Sequence, residues 1–276
     1  MKILISNDDG VHAPGIIFMS NRLAELGHAV TVVAPDRERS GAGHSVTTTS
    51  LHLKRGTFPG YDPRVRTFKC NGTPADSTLL GLGVAAPDAE LVLAGINSGP
   101  NMGRDVFYSG TVAAAREGYF ENRGAIAMSL AVEYPARDEG TREEEHYETA
   151  VRVSEILVEN LNVFFGGFGE NGGREAALLN VNVPNLPLSE IQGFKMTFTG
   201  RRRYRDRVQR IMTPRGDPCY WIQGAPADSE ELEGSDVKAV NDGFVALTFL
   251  QYDTTDYGLN DRVGAEEIDK LKINQC

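Results

Sequence analysis

The apolar run Ile3 to Ile5 predicts a short buried strand that ends in the turn cluster Asn7-Asp8-Asp9-Gly10. Ile16, Met19, Leu23 and Leu26 then recur at helical spacing, and Gly27 stops the helix. Ala29 to Ala34 is a second buried strand, so the first two strands should be parallel with a right-handed crossover. It runs into a polar, glycine-bearing loop from Pro35 to Ser45. Thr47 to Leu53 and Val65 to Phe68 read as strands in an excursion from the sheet. Thr73 can cap the next helix, with Pro74 at its first position and Leu79, Leu80 and Leu82 on its apolar side. Leu91 to Ala94 predicts another buried strand, followed by the Gly-rich loop Gly95 to Gly103. Tyr108-Ser109-Gly110-Thr111 opens an alanine-rich helix, Val112 to Phe120, and Ala125 to Ala131 is the strand after it.

Further on, Thr141 to Glu145 reads as a charged helix start leading into an amphipathic helix from His146 to Leu161. Gly166 to Gly173 reads as a surface loop, and Ala177 to Val183 as a strand closed by Pro184. From 194 the alternation gives way to strands: Phe194 to Thr199, Val208 to Met212, Tyr220 to Gln223 and Gly243 to Leu250, with a short helix from Gly264 to Ile273. The pattern predicts an α/β fold with a mostly parallel sheet in residues 1–193, followed by a β-rich C-terminal extension, 194–276.

Composition narrows the function. The 276-residue chain carries a net charge of −10, which argues against general binding to nucleic acid or to an anionic membrane. The hydrophobic fraction of 41% is enough for a sizeable core. Cys70, Cys219 and Cys276 make neither a disulfide framework nor a zinc pattern, and suit reduced thiols in a cytoplasmic protein. No room for a signal peptide precedes the first strand, and no apolar stretch approaches membrane-spanning length. The run Arg201-Arg202-Arg203-Tyr204-Arg205-Asp206-Arg207 reads as an oligomer contact, which the acidic run Asp228 to Asp236 could pair across subunits, rather than as a nucleic-acid patch.

Three loops, each directly after a buried strand, carry the candidate chemistry: Asp8 and Asp9, then Ser40, then Asn97. In a parallel sheet such loops converge at one edge. Two adjacent carboxylates repel unless a cation lies between them. An all-oxygen donor set suits Mg²⁺, Mn²⁺ or Ca²⁺ rather than Zn²⁺. Each residue also has a plain alternative: Asp-Gly is a common turn, and Ser40 and Asn97 can simply shape loops. Ser109, Gly110 and Thr111 sit at a helix N-terminus, which attracts an anion, although Ser109 could equally be an ordinary cap. A cation beside an anion-binding helix start describes a phosphate site.

Met1–Gly15 (with KILISNDDGVHAPG), Ala34–Ser45 (APDRERSGAGHS), Gly95–Met102 (GINSGPNM) and Tyr108–Ala115 (YSGTVAAA) together resemble the SurE (survival protein E) family of metal-dependent nucleotidases. The likeness continues more weakly through Asn180–Pro184, Gly200–Tyr204 and Tyr220–Gly224. The resemblance implies a Rossmann-like three-layer α/β/α core, with a C-terminal β-hairpin and tail that exchange between subunits of a homodimer or homotetramer. It also implies removal of phosphate from nucleoside 5′-monophosphates, with 3′-nucleotides and short polyphosphate as substrates of some members. The family's ligands for one divalent cation per subunit fall on Asp8, Asp9, Ser40 and Asn97. Three features depart from the pattern: the glycine-rich stretch Gly166–Gly173, Thr248-Phe249-Leu250 where Thr-Pro-Leu is common, and the tail beyond Asp253.

A cation here would neutralise phosphoryl oxygens and lower the pKa of a bound water. Asp8 or Asp9 could accept that water's proton, and commitment of both carboxylates to the cation favours water over direct attack by Asp8. Asn101 is a candidate phosphate contact and His44 a candidate acid for the leaving alkoxide. Phe107 and Tyr108 are candidates to grip the nucleoside only because they lie near the site loops. The competing reading is a non-catalytic nucleotide- or metal-binding module on the same core.

Overall fold

The computed structural model describes residues 1–132, 144–165, 176–230 and 232–269. The expected loop Gly166–Gly173, the helix start at 141–143, and the end of the chain including Cys276 lie outside the described residues.

The elements, in chain order, are β1 (Lys2–Ser6), α1 (Pro14–Glu25), β2 (Ala29–Pro35), β3 (Leu53–Gly56), β4 (Arg66–Cys70), α2 (Pro74–Leu80), β5 (Leu91–Ser98), α3 (Gly110–Phe120), β6 (Gly124–Ala131), α4 (Tyr147–Glu159), α5 (Leu161–Phe165), β7 (Leu178–Pro184), β8 (Gly193–Met196), β9 (Arg201–Met212), β10 (Pro218–Glu230), α6 (Asp236–Asn241), β11 (Phe244–Leu250) and α7 (Tyr257–Asp269). Nine strands form one sheet in the order β3-β4-β2-β1-β5-β6-β7-β11-β8. The six from β4 to β7 are mutually parallel. The chain winds outward from β1 through β2 to β4, then returns to β5 on the other side of β1 and winds away to β7. Strand order therefore reverses between β1 and β5, and such a switch point opens a crevice at the strands' carboxyl ends.

Each face of the sheet is covered for a reason visible in the residues. Ile16, Met19 and Leu23 of α1 and Ala150, Val153 and Leu157 of α4 bury one face together with Ile3, Ile5, Leu93 and Ile126. On the other face, α3 lays Val112, Ala114 and Ala115 against Ala94, Ala125 and Ala127. Small side chains on both partners let the helix lie close. At Gly118 of α3 a Cβ would fall 2.6 Å from Val92 Cβ. Thr73 caps α2 in a capping box with Asp76, as its Thr-Pro start predicts.

The structure corrects the expected organisation in three places. Residues 46–70 are not an excursion: β4 is a parallel member of the main sheet beside β2, and β3 pairs antiparallel at its edge. Lys54-Arg55 of the edge strand β3, and Arg66 and Lys69 of β4 beside it, break the apolar pattern that marks a sheet strand in sequence. The main sheet also does not end at 193. β11 pairs with β7 and β8 pairs with β11, so part of the expected extension completes the core. Only β9 and β10 leave it, as a separate two-stranded ribbon. The arginine run lies within β9 rather than between two strands. Finally, α4 begins at Tyr147 after His146, so residues 144–146 are not helical.

Gly15, near the start of α1, faces the backbone of β5, where a Cβ would lie 2.1 Å from the Ile96 carbonyl oxygen. Gly15→Ala should lower stability by about 2 kcal/mol through overpacking. The expected result is a lower urea midpoint with an unchanged m value; an unchanged midpoint contradicts the packing described.

Candidate active site

The site starts from the turn after β1. Asn7 is fully buried; its amide nitrogen donates to the Gly10 carbonyl (3.0 Å), and its side-chain oxygen accepts the Gly10 N–H (3.1 Å). Gly10 has φ +95°, and a Cβ there would meet the Arg37 backbone at 3.0 Å. That space is used by the loop after β2: Arg39 N–H donates to the Asp8 carbonyl (2.7 Å), and Val11 N–H donates to the Pro35 carbonyl (2.9 Å). The Asp8-Asp9 turn and the Ser40 loop are thereby fastened together through backbone.

Asp8 is only 4% exposed. The Thr111 hydroxyl donates to its Oδ1, and the backbone N–H groups of Gly110 and Thr111 also reach the carboxylate. No side chain fits at Gly110, where a Cβ would lie 2.7 Å from Asp8 Cβ and 2.9 Å from Pro74 Cγ. Ser109 caps α3 by accepting the Val112 N–H (3.0 Å). The helix start expected to attract an anion thus already holds one, the carboxylate of Asp8. Even so, burial raises the Asp8 pKa above its ordinary value. Burial, and then the charge of Asp8, push Asp9 up to about 7, while the Ser98 backbone bond pulls it down and Glu38 and Glu145 add repulsion.

The third strand end is β5. Its pairing with β6 shifts register between Ala94 and Asn97, and Gly95 sits at φ +124° with room for no Cβ, since one would lie 2.3 Å from the Met128 carbonyl oxygen. The irregularity re-aims the chain just before Asn97. Asn97 Nδ2 donates to the Gly99 carbonyl (2.8 Å), which leaves the side-chain oxygen as the donor atom of interest for a cation. Ser40, at the exposed tip of its loop, donates to Glu38 Oε1 (2.9 Å). Two carboxylates whose pKa values are both raised, chiefly by burial and for Asp9 also by the charge of Asp8, with a hydroxyl and a carboxamide on neighbouring strand ends, fit a hard divalent cation. Among the described residues no group of three or more His, Cys, Asp or Glu side chains could hold a metal, so a softer His/Cys centre has no candidate there.

Two expected site residues have partners of their own within the fold. Asn101 is buried and works as a rivet. Its N–H donates to Asn182 (2.8 Å), its Nδ2 to Ser129 (2.8 Å), and its carbonyl accepts from Asn180 (2.8 Å) and Asn182 (3.2 Å). His44 pairs through Nε2 with the buried Glu117 of α3 and stacks on Phe120. The sequence reading missed several contributors. Asp236 accepts the Gly103 N–H (2.9 Å) and the Gly200 N–H (2.7 Å), tying α6 to the site loop. The signal for Asn180 and Asn182 was present, as two carboxamides two residues apart in an otherwise apolar strand. Glu145 reaches Ser98 (3.1 Å) from a segment whose position no local pattern gives.

The family model described as Survival protein SurE matches residues 3–206. This chain belongs to the SurE family. A protein named 5'-nucleotidase SurE from Synechococcus elongatus is 42% identical over 93% of this chain and 96% of its own length. One of the same name from Legionella pneumophila (strain Corby) is 40% identical over 95% of this chain and 96% of its own. The crystal structure of SurE protein from Aquifex aeolicus superposes with a TM-score of 0.75 at 37% identity, covering 97% of this chain and all of that one. The α/β fold with its mostly parallel sheet is therefore the SurE fold.

The raised pKa of Asp9 gives a stability test for this SurE-family chain. Unfolded, Asp9 titrates near 3.8; folded and metal-free it titrates near 7. Between those values the fold holds a proton that the unfolded chain has released, so metal-free stability falls as pH rises from about 4 to about 7. In EDTA at pH 8, Asp9→Asn should be more stable than the wild type by about 2 kcal/mol in urea unfolding. A variant no more stable than wild type contradicts the strained carboxylate.

Proposed function

We propose that this protein is a divalent-metal-dependent phosphatase that hydrolyses nucleoside monophosphates to nucleoside and phosphate, with 5′-nucleotides as main substrates and 3′-nucleotides and short polyphosphate as further ones. The observation that carries the reading is the pair of buried Asp8 and half-buried Asp9 at the switch point of a SurE-family sheet. Relatives over nearly the whole chain bear the name 5'-nucleotidase.

In this reading Asp8, Asp9, Ser40 and Asn97 hold one cation, Mg²⁺ or Mn²⁺ with Ca²⁺ as a weaker fit. Bound there, it supplies charge neutralisation at the phosphoryl oxygens and acidifies a water. Thr111 and the start of α3 orient the Asp8 carboxylate, and their bonds favour its charged form against the burial that raises its pKa. Asp9, the less buried of the two, is the carboxylate placed to take a proton from the attacking water. Asn101 holds the 97–103 loop against β6 and β7. His44 is given no proton-transfer role, because its Nε2 is turned to Glu117.

The same proposal includes a homodimer or homotetramer built through the β9–β10 ribbon, which exposes Val208, Ile211, Met212 and Tyr220. A two-stranded ribbon with such side chains in water is marginal without a partner. A cytoplasmic location is supported by the free thiols of Cys70 and Cys219. Among the described residues no helix is long and apolar enough to cross a membrane.

Phosphate release from 5′- and 3′-nucleoside monophosphates, with Mg²⁺, with Mn²⁺ and with EDTA, tests the reading. Release should require metal, and Asp9→Asn should lower kcat at least about a thousandfold with the fold intact by circular dichroism. Nucleotide binding without release under any metal would favour the binding module.

A further inference from the structure

Phe107 and Tyr108 are 65% and 63% exposed, two large aromatic side chains in succession facing water. Their backbone is not a loose tip. They end the 3-10 turn Gly103–Phe107, whose first N–H is held by the buried Asp236 (2.9 Å). Tyr108 N–H donates to the Asp105 carbonyl (2.9 Å), and the Tyr108 carbonyl accepts the Gly43 N–H (3.0 Å) from the loop that carries Ser40. Ser109, the next residue, is buried and caps α3; the one after, Gly110, packs its backbone against Asp8. The aromatic pair therefore stands on rigid backbone at the rim of the carboxylate site, two residues from a contact with Asp8.

From this placement we infer that Phe107 and Tyr108 form the stacking face for the nucleobase of the substrate. The inference rests on the nucleotidase reading and names the part of the site that tells a nucleotide from any other phosphate ester. A phosphate at the Asp8-Asp9 end leaves its base a sugar's length away, which suits side chains two and three residues before Gly110. An aromatic face accepts every base, because each base has a π-surface, so the face selects nucleosides without selecting one base. Nothing polar on the pair but the Tyr108 hydroxyl competes with stacking.

The test compares a nucleoside 5′-monophosphate with ribose 5-phosphate, which carries the same phosphate and sugar but no base. Wild type should prefer the nucleotide by about tenfold or more in kcat/KM, the effect of one base–aromatic stack. The double variant F107A/Y108A should lose most of that preference through a higher KM for the nucleotide, with kcat and the rate on ribose 5-phosphate within about twofold of wild type. Exchange of the rings, F107Y/Y108F, should keep the preference. An unchanged nucleotide KM in the double variant overturns the inference. So does an equal fall on both substrates, which marks the pair as part of the site's architecture or of a contact between copies of the chain. Wild type that hydrolyses both esters equally well also overturns it, while leaving the phosphatase reading intact. Wild type that hydrolyses neither sinks the phosphatase reading itself.

Discussion

Two carboxylates at consecutive positions, both withdrawn from water, repel each other and lose hydration at once. The surroundings of Asp8 and Asp9 answer that constraint. Thr111 and Gly110, at the start of α3, give the Asp8 carboxylate a hydroxyl and two backbone N–H donors. They do not neutralise its charge; burial, and then that charge, drive Asp9 beside it up to about 7. Folding alone leaves the pair strained, and a divalent cation bound there would offset both the repulsion and the desolvation penalty. A binding site of this kind is preorganised by its own unfavourable electrostatics: stability is given up in the free protein and recovered when the cation binds.

The fold makes that arrangement rigid by bringing backbone into contact at places where no side chain fits. Gly10 lets the β2 loop cross the turn after β1, Gly110 lets α3 touch Asp8, and Gly95 lets β5 run against Met128 before Asn97. A Cβ at any of these positions would fall within 3.0 Å of the element packed against it. The Asn101 rivet and the Asp236 carboxylate then fix the long 97–103 loop from below. The exposed aromatic pair inherits its fixed position from the same bonds.

Much of this was legible in the sequence because it is local. β1, α1, β2, β5, α3 and β6 follow from apolar periodicity and from glycine, proline and threonine at their ends. Asp8, Asp9, Ser40 and Asn97 stand out because each follows a buried strand. What was illegible depends on distance. β4 carries a charged residue on each face, Arg66 and Lys69, so only its pairing with β2 identifies it as core. β11 lies some sixty residues beyond β7 in the chain, across the ribbon, and its place beside β7 is set by tertiary packing. Glu145 and Asp236 act on the site from segments with no motif of their own. The helix start at Ser109 is legible from its local residues, but the carboxylate that Gly110 and Thr111 meet is Asp8, from the turn after β1, which no local pattern gives.

The central claim is that the Asp8-Asp9 pair holds one hard cation. Titration of the metal-free protein with Mn²⁺, following the free-ion signal by electron paramagnetic resonance, tests it without reference to turnover. The account predicts one bound Mn²⁺ per chain in the wild type and none at the same concentrations in Asp9→Asn. Equal binding by wild type and variant, or no binding by the wild type, would contradict it.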